Sequence, residues 1–193
     1  MQPLNRKVSH YNNPRMSEAE LIKSCISGNS LAQKQLYEKY NRKMMGVCLR
    51  YAGDYDEAKD ILQDGFIKLF EKLGTFSGTG SFEGWMRRIF VNTSLDYHRR
   101  TKQERQMLDI DDVGFFLSVK ELITDEMAAE DLMKILQRIP VGYRTVFNLF
   151  AIEGYSHKEI SEMLGITEST SKSQYSRARE FLKNILEKQG ISR

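Results

Sequence analysis

Apolar residues recur along this chain at steps of three and four, and no segment alternates at a period of two. That pattern predicts helices throughout and no strands. Ser17-x-x-Glu20 is a capping box and opens a short helix over Glu18–Ile26 that Gly28 ends. A longer helix is expected from about Ser30 to Tyr51, with Leu36, Tyr37, Tyr40, Met44, Val47 and Tyr51 as its inward stripe. Gly53 and Asp54 break it, and Asp54-x-x-Glu57 caps a third helix running to about Leu73. Its stripe is Ala58, Ile61, Leu62, Phe66, Leu69, Phe70 and Leu73. The loop GTFSGTGS (74–81) separates it from a fourth helix, Phe82 to about Arg100, with Trp85, Met86, Ile89 and Thr93 inward. Four such helices can bury a bundle core of their own.

The stripe then lapses. Residues 101–124 are acidic around Gly114-Phe115-Phe116 and predict a linker, with at most a short helix at 119–123. Helical spacing returns at Asp125 through Met127, Leu132, Ile135, Leu136 and Ile139, and Pro140 is a stop. The next helix carries Val146, Phe147, Leu149 and Phe150 and ends near Gly154.

Residues 154–183, GYSHKEISEMLGITESTSKSQYSRAREFLK, hold the most specific pattern in the chain. Ser156-x-x-Glu159 caps a short helix with Ile160, Met163 and Leu164 inward; Gly165 supplies the turn, and Ile166 packs it. Thr167 caps a second helix whose buried stripe is Ser171, Tyr175, Ala178, Leu182 and Ile185. Its other face presents Ser169, Thr170, Lys172, Ser173, Ser176, Arg177, Arg179 and Lys183. Hydroxyls at a helix start with basic groups behind them suit a recognition helix in the major groove. A plain helical hairpin with a solvated basic face is the competing account.

Charge sharpens the picture. The chain of 193 residues is only +3 overall, but residues 54–72 carry a net −3, 82–106 a net +3, 107–131 a net −7 and 169–183 a net +3. Two basic blocks flanking an acidic stretch suit two contacts with a polyanion and a connector that avoids it. In the first block, basic groups interleave with Trp85, Phe90 and Tyr97, a composition that fits single-stranded nucleic acid. Other chemistry is thin. Cys25 and Cys48 lack metal or disulfide spacing, and His10, His98 and His157 are scattered. Gly78-x-Gly80 is not a nucleotide-binding glycine pattern, and no nucleophile has a base partner. No cofactor, metal, catalytic residue or small-molecule substrate is expected. No apolar run of 18 residues and no signal-peptide core are present, so an intracellular, cytoplasmic protein is expected.

With these segments in order, the chain resembles a bacterial RNA polymerase sigma factor of the extracytoplasmic-function (ECF) subfamily. DEAKDILQDGFIKLFEKL (56–73) is similar to the family's core-polymerase-binding helix: Asp60, Gln63, Asp64 and Phe66 match, while Lys59 and Gly65 depart from it. FEGWMRRIFVNTSLDYHRR (82–100) resembles the promoter-melting helix, with Trp85, Ile89, Asn92 and Asp96 in register. Residues 154–180 resemble the upstream-element reader, with Ser171 where the family usually has a buried Val. The resemblance implies an all-α protein of two small helical domains: region 2 over 17–105 and region 4 over 125–188. They are joined by an acidic linker over 106–124 and flanked by tails at 1–16 and 189–193. It implies core-polymerase contacts from Asp56, Asp60, Gln63, Asp64 and Phe66. Contacts to a melted −10 strand are implied for Ser77, Gly78, Trp85, Arg88, Asn92, Asp96, Arg99 and Arg100. Contacts to a duplex −35 element are implied for Ser169, Thr170, Lys172, Ser173, Ser176 and Arg177. An anti-sigma factor is a further partner that it implies. The alternatives are a helix-turn-helix regulator that never joins core polymerase and a helical adaptor whose basic faces bind acidic protein; an enzyme comes last.

Overall fold

The computed structural model describes residues 16–107 and 133–188. The tails, most of the acidic linker and the short helix expected at 119–123 lie outside the described residues. Those described form helices α1 (Glu18–Ile26), α2 (Ser30–Tyr51), α3 (Tyr55–Lys72), α4 (Phe82–Met107), α5 (Val141–Phe147), α6 (His157–Leu164) and α7 (Glu168–Lys188), with a further helical turn at 133–137. The starts of α1, α2, α3 and α6 hold because each has a side-chain cap, whereas α5 starts after Pro140 without one. Ser17 and Glu20 bond reciprocally, as do Ser156 and Glu159. At α3 the reciprocal bond is shifted by one residue: Asp54 accepts from the Glu57 N–H at 2.7 Å, but the Glu57 carboxylate accepts from Gly53.

Helix α4 runs on to Met107, seven residues past its expected end. Lys102–Gln106 are all good helix formers with no stop signal among them, so the helix outlasts its apolar stripe. A second difference is at Tyr37, expected inward but 41% exposed, lying against Phe66 at the rim. Phe66, Phe90 and Phe82 fill the bundle with Leu36, Met44, Ile61 and Met86, and Cys25 and Cys48 are buried among them. Gly65 is what lets α3 and α4 meet, because a β-carbon there would overlap the Phe90 ring.

The two halves share a core. Val146, Leu149 and Ile160 join the cluster built by α1–α4, while Leu136, Ile139 and Ala178 make a smaller one against α7. The seam is organised by the C-terminal end of α2, whose last carbonyls have no partner within the helix. Arg144 Nη2 donates to the carbonyls of Tyr51 and Ala52 at 3.2 and 3.1 Å, and Asn148 donates to that of Arg50 at 2.8 Å. A ring nitrogen of His98 from α4 lies 2.8 Å from the same Tyr51 carbonyl. A cation at the negative end of the helix is favourably placed. Burial pulls the Arg144 guanidinium down to about 10, so it stays charged at neutral pH. Beside it, Arg50 and Glu153 make an almost buried ion pair at 2.6 Å, with Arg87 a further 4.0 Å from the carboxylate. Arg50 Nε, Tyr51 OH, Arg144 Nε and Asn148 Oδ1 are buried here without a hydrogen-bond partner.

Candidate functional site

Three faces carry the residues singled out by the sequence. On α3, Asp56, Asp60 and Gln63 are exposed and Asp64 is half-exposed. Asp56 pairs with Lys59 at 2.7 Å and Asp64 with Arg100 of α4 at 3.0 Å, so one acid of this face is tied to a base expected to touch DNA. Phe66 is core, only 4% exposed, with ring centroids 5.1 Å from Phe90 and 4.6 Å from Tyr37. With Tyr37, Leu62, Ile67 and Phe70 it lines a mostly apolar groove of about 440 Å³ that Lys59 and Gln63 border. Ile67, 50% exposed, was missed; an isoleucine out of phase with the inward stripe was the available signal.

The second face begins at the loop 74–81. Gly78 and Gly80 take φ of 75° and 77°, a region that glycine enters without a steric penalty. Ser77 and Thr79 join their hydroxyls at 2.6 Å. At the root of the loop, Phe76, Phe82 and Trp85 form an aromatic triangle with centroids 5.2–5.8 Å apart. Phe82 is buried there and Trp85 half-buried. A groove of about 470 Å³ opens between α1 and this loop, lined by Ile22, Lys23 and Ile26 opposite Phe76, Ser77 and Gly78. From Trp85 the helix carries Arg88, Asn92, Asp96 and Arg99 at steps of three and four, hence on one line. Arg88, Asn92 and Arg99 are exposed. Asp96 is held between Lys68 at 3.1 Å and Arg99 at 3.3 Å. Arg100 leaves this line for Asp64, and His98 turns in to α2.

The third face is α6, its turn and α7. Gly165 takes the left-handed conformation (φ 65°) and ends α6. Thr167 then accepts the N–H of Thr170 at 3.0 Å and starts α7. Ser171 is fully buried, as the pattern requires, and its hydroxyl lies 2.9 Å from Nδ1 of His157 on α6. That contact clips the two helices together, and the His157 ring stacks on Phe150 at 4.3 Å. Ser169, Lys172, Ser173, Ser176 and Arg177 are exposed on the other side, whereas Thr170 is half-buried with its hydroxyl on Thr167. Lys172 pairs with Glu168 at 2.7 Å and holds that carboxyl below its ordinary value of 4.5. Arg177 donates to the Tyr143 hydroxyl at 3.0 Å, which makes Tyr143 of α5 a neighbour of this face that its own helix spacing did not reveal.

The arrangement is that of a helical bundle with an aromatic-rooted loop, followed by a helix-turn-helix. Among the described residues, no group of three or more His, Cys, Asp or Glu could hold a metal, and no helix is long and apolar enough to cross a membrane. Residues 36–104 match Sigma-70 region 2 and residues 129–182 match Sigma-70 region 4, two modules in a fixed order over well more than half of the chain. The chain thus belongs to the RNA polymerase sigma factors, and within them to the ECF subfamily. It is 28% identical over 182 residues to the RNA polymerase sigma-H factor of Pseudomonas aeruginosa, covering 88% of this chain and 94% of that one. It is 28% identical to an ECF sigma-E factor of Haemophilus influenzae over 90% of this chain and 97% of the relative. For an ECF sigma factor of Mycobacterium tuberculosis the figures are 29%, 88% and 85%. A sigma factor of Bartonella quintana, solved in complex with an anti-sigma factor, shares the fold with a TM-score of 0.55 at 22% identity, covering 80% of this chain and 96% of that one.

Proposed function

We propose that this protein joins core RNA polymerase and directs it to promoters with two elements, one read by each half of the chain. The observation that carries the reading is the order of the two sigma regions on a helical bundle and a helix-turn-helix with opposite charge character on successive faces. In this reading region 2 spans 17–105 and region 4 spans 125–188, the acidic linker threads between them, and the chain works in the cytoplasm without a catalytic step of its own. The α3 face, with Asp56, Asp60, Gln63, Asp64 and the Tyr37–Ile67 groove beside Phe66, takes a basic, partly apolar surface of the core enzyme. The line Trp85, Arg88, Asn92, Asp96 and Arg99 tracks the melted −10 strand, with Arg100 at its flank. The groove beside Ser77 and Gly78 accepts an unstacked base, since an aromatic floor and backbone polar groups suit a base taken out of the stack. Helix α7 enters the major groove of the −35 element through Ser169, Thr170, Lys172, Ser173, Ser176 and Arg177. The Bartonella relative was solved with an anti-sigma factor, which supports a regulator of that kind here as well. Run-off transcription with purified core polymerase tests the reading. A promoter-specific transcript that depends on this chain is expected, and failure to bind core would return the helix-turn-helix regulator to first place.

A further inference from the structure

The basic residues of α7 are not all held alike. Lys172 lies 2.7 Å from Glu168 and Lys183 lies 3.7 Å from Glu187, so each is paired with a carboxylate one turn away on its own helix. Arg177 is held by a residue of another helix. Its Nη1 donates to the Tyr143 hydroxyl at 3.0 Å, and its guanidinium carbon lies 5.7 Å from the centre of the Tyr143 ring. A ring at that range attracts a cation without cancelling it. Both contacts are with an uncharged side chain, and the positive charge stays in place for DNA. Tyr143 is a firm support. It is half-buried and packs on the cluster of Leu136, Ile139 and Ala178. The next residue, Arg144, donates to the Gln137 carbonyl at 3.1 Å and so ties the start of α5 to the turn before it.

The contact leaves one whole edge of the guanidinium open. A guanidinium carries its N–H donors in a fixed plane, and the Tyr143 oxygen takes one of the two on Nη1. The Nε and Nη2 hydrogens remain side by side along the other edge, in the fork that suits guanine O6 and N7. A long side chain that is ordered only on binding forfeits a factor of roughly 2 to 10 in affinity. An Arg177 already held in place avoids that loss at the base it matches. At a mismatched base there is no bidentate contact to gain from the ordering. Holding the side chain beforehand therefore widens the gap between right and wrong bases.

We propose that Tyr143 is a positioning residue for promoter choice: it sets the Arg177 fork before DNA arrives, so that α7 favours a guanine at one position of the upstream element. The proposal deepens the assignment of α7 to the −35 element and rests on it. The test uses the chain assembled with core polymerase on a promoter library randomised over that element, with Arg177→Ala marking the position that Arg177 reads. Tyr143→Phe keeps the ring and its packing and removes only the hydroxyl. It is expected to lower the preference for guanine at that position about fivefold. Melting temperature, salt slope and affinity for unmatched sequence are expected to stay as in the parent, because no packing and no charge is lost. Tyr143→Phe combined with Arg177→Ala is expected to discriminate as Arg177→Ala does alone, since Tyr143 acts through Arg177. Nitrogen-15 relaxation of Arg177 Nε in the free chain gives a second readout that needs no DNA. The side chain is expected to be ordered in the parent and mobile in Tyr143→Phe. Guanine preference that survives Tyr143→Phe while Arg177→Ala relaxes it overturns the inference and leaves the promoter reading intact. An Arg177 equally mobile in both chains overturns it as well. A parent chain that joins core but shows no base preference in the upstream element fails the promoter reading itself, and the positioning role with it.

Discussion

Gly65 shows how one residue can reverse an ordinary rule. In a helix interior, replacing Gly with Ala normally gains about 1 kcal/mol through backbone entropy. Here the added carbon would overlap the Phe90 ring, which is fully buried and cannot swing aside. Gly65→Ala is therefore expected to destabilise by about 1–3 kcal/mol in chemical denaturation, as overpacking does. Phe90→Leu in the same chain should recover part of the loss. In the sequence, Gly65 was visible only as a departure from an expected apolar position; its reason lay on another helix. Ser171 is the complementary case. Its burial followed from the stripe on its own helix, but its contact with His157, 14 positions away, did not. Single-helix periodicity tells which side is buried and is silent about what is waiting there.

Among the elements, helix starts were the most legible because a cap is a local device of four residues. The box at α6 also titrates. The Ser156 hydroxyl and its N–H hold the Glu159 carboxyl below its ordinary value of 4.5. A carboxylate whose folded value is depressed lends stability that is complete above the unfolded value and is lost as pH falls through the folded one. Acidification below about pH 4.5 should thus loosen α6. Glu159→Gln keeps the box without a titrating group, so its melting temperature should fall less between pH 6 and pH 3 than that of the parent chain. On α7 the two candidate readers should separate. Lys172→Ala is expected to weaken duplex binding evenly over sequences and to lower the salt slope by about 1, as loss of a phosphate contact does. Arg177→Ala is expected to cost about 1–3 kcal/mol and to relax choice at one base position in a promoter-library binding assay. Equal losses on every sequence for both would place Arg177 on the backbone too. The tail of α4 past Arg100 was not legible because its residues favour helix without marking a face.

For the molecule as a whole, charge layout was legible and assembly was not. The acidic α3 and basic α4 were plain in the sequence, but not that Asp64 pairs with Arg100 and so links the two surfaces. Reversing Asp60 and Asp64 to Lys is expected to weaken the complex with core polymerase at least tenfold in a pull-down titration at low salt, with helicity intact. The loss should shrink as ionic strength rises, because exposed charges are screened beyond roughly 10 Å at 0.1 M. The pair with Arg100 is exposed, so its loss alone should change stability by at most about 1 kcal/mol. The seam escaped the sequence for a different reason. A carbonyl at a helix end is present in every residue, and nothing in the letters Arg144, Asn148 or Glu153 says which backbone they will meet.

The two sulfhydryls carry a consequence of their own. The chain has only Cys25 and Cys48, both buried in the bundle; burial raises the Cys25 thiol above its ordinary value and pushes the Cys48 thiol up to about 12. Oxidants and electrophiles attack the thiolate, and a protonated, enclosed sulfur offers them almost none. These two cysteines are therefore expected to react slowly with peroxide and alkylating agents while the bundle stays folded, and a thiol-labelling time course of the native chain checks it.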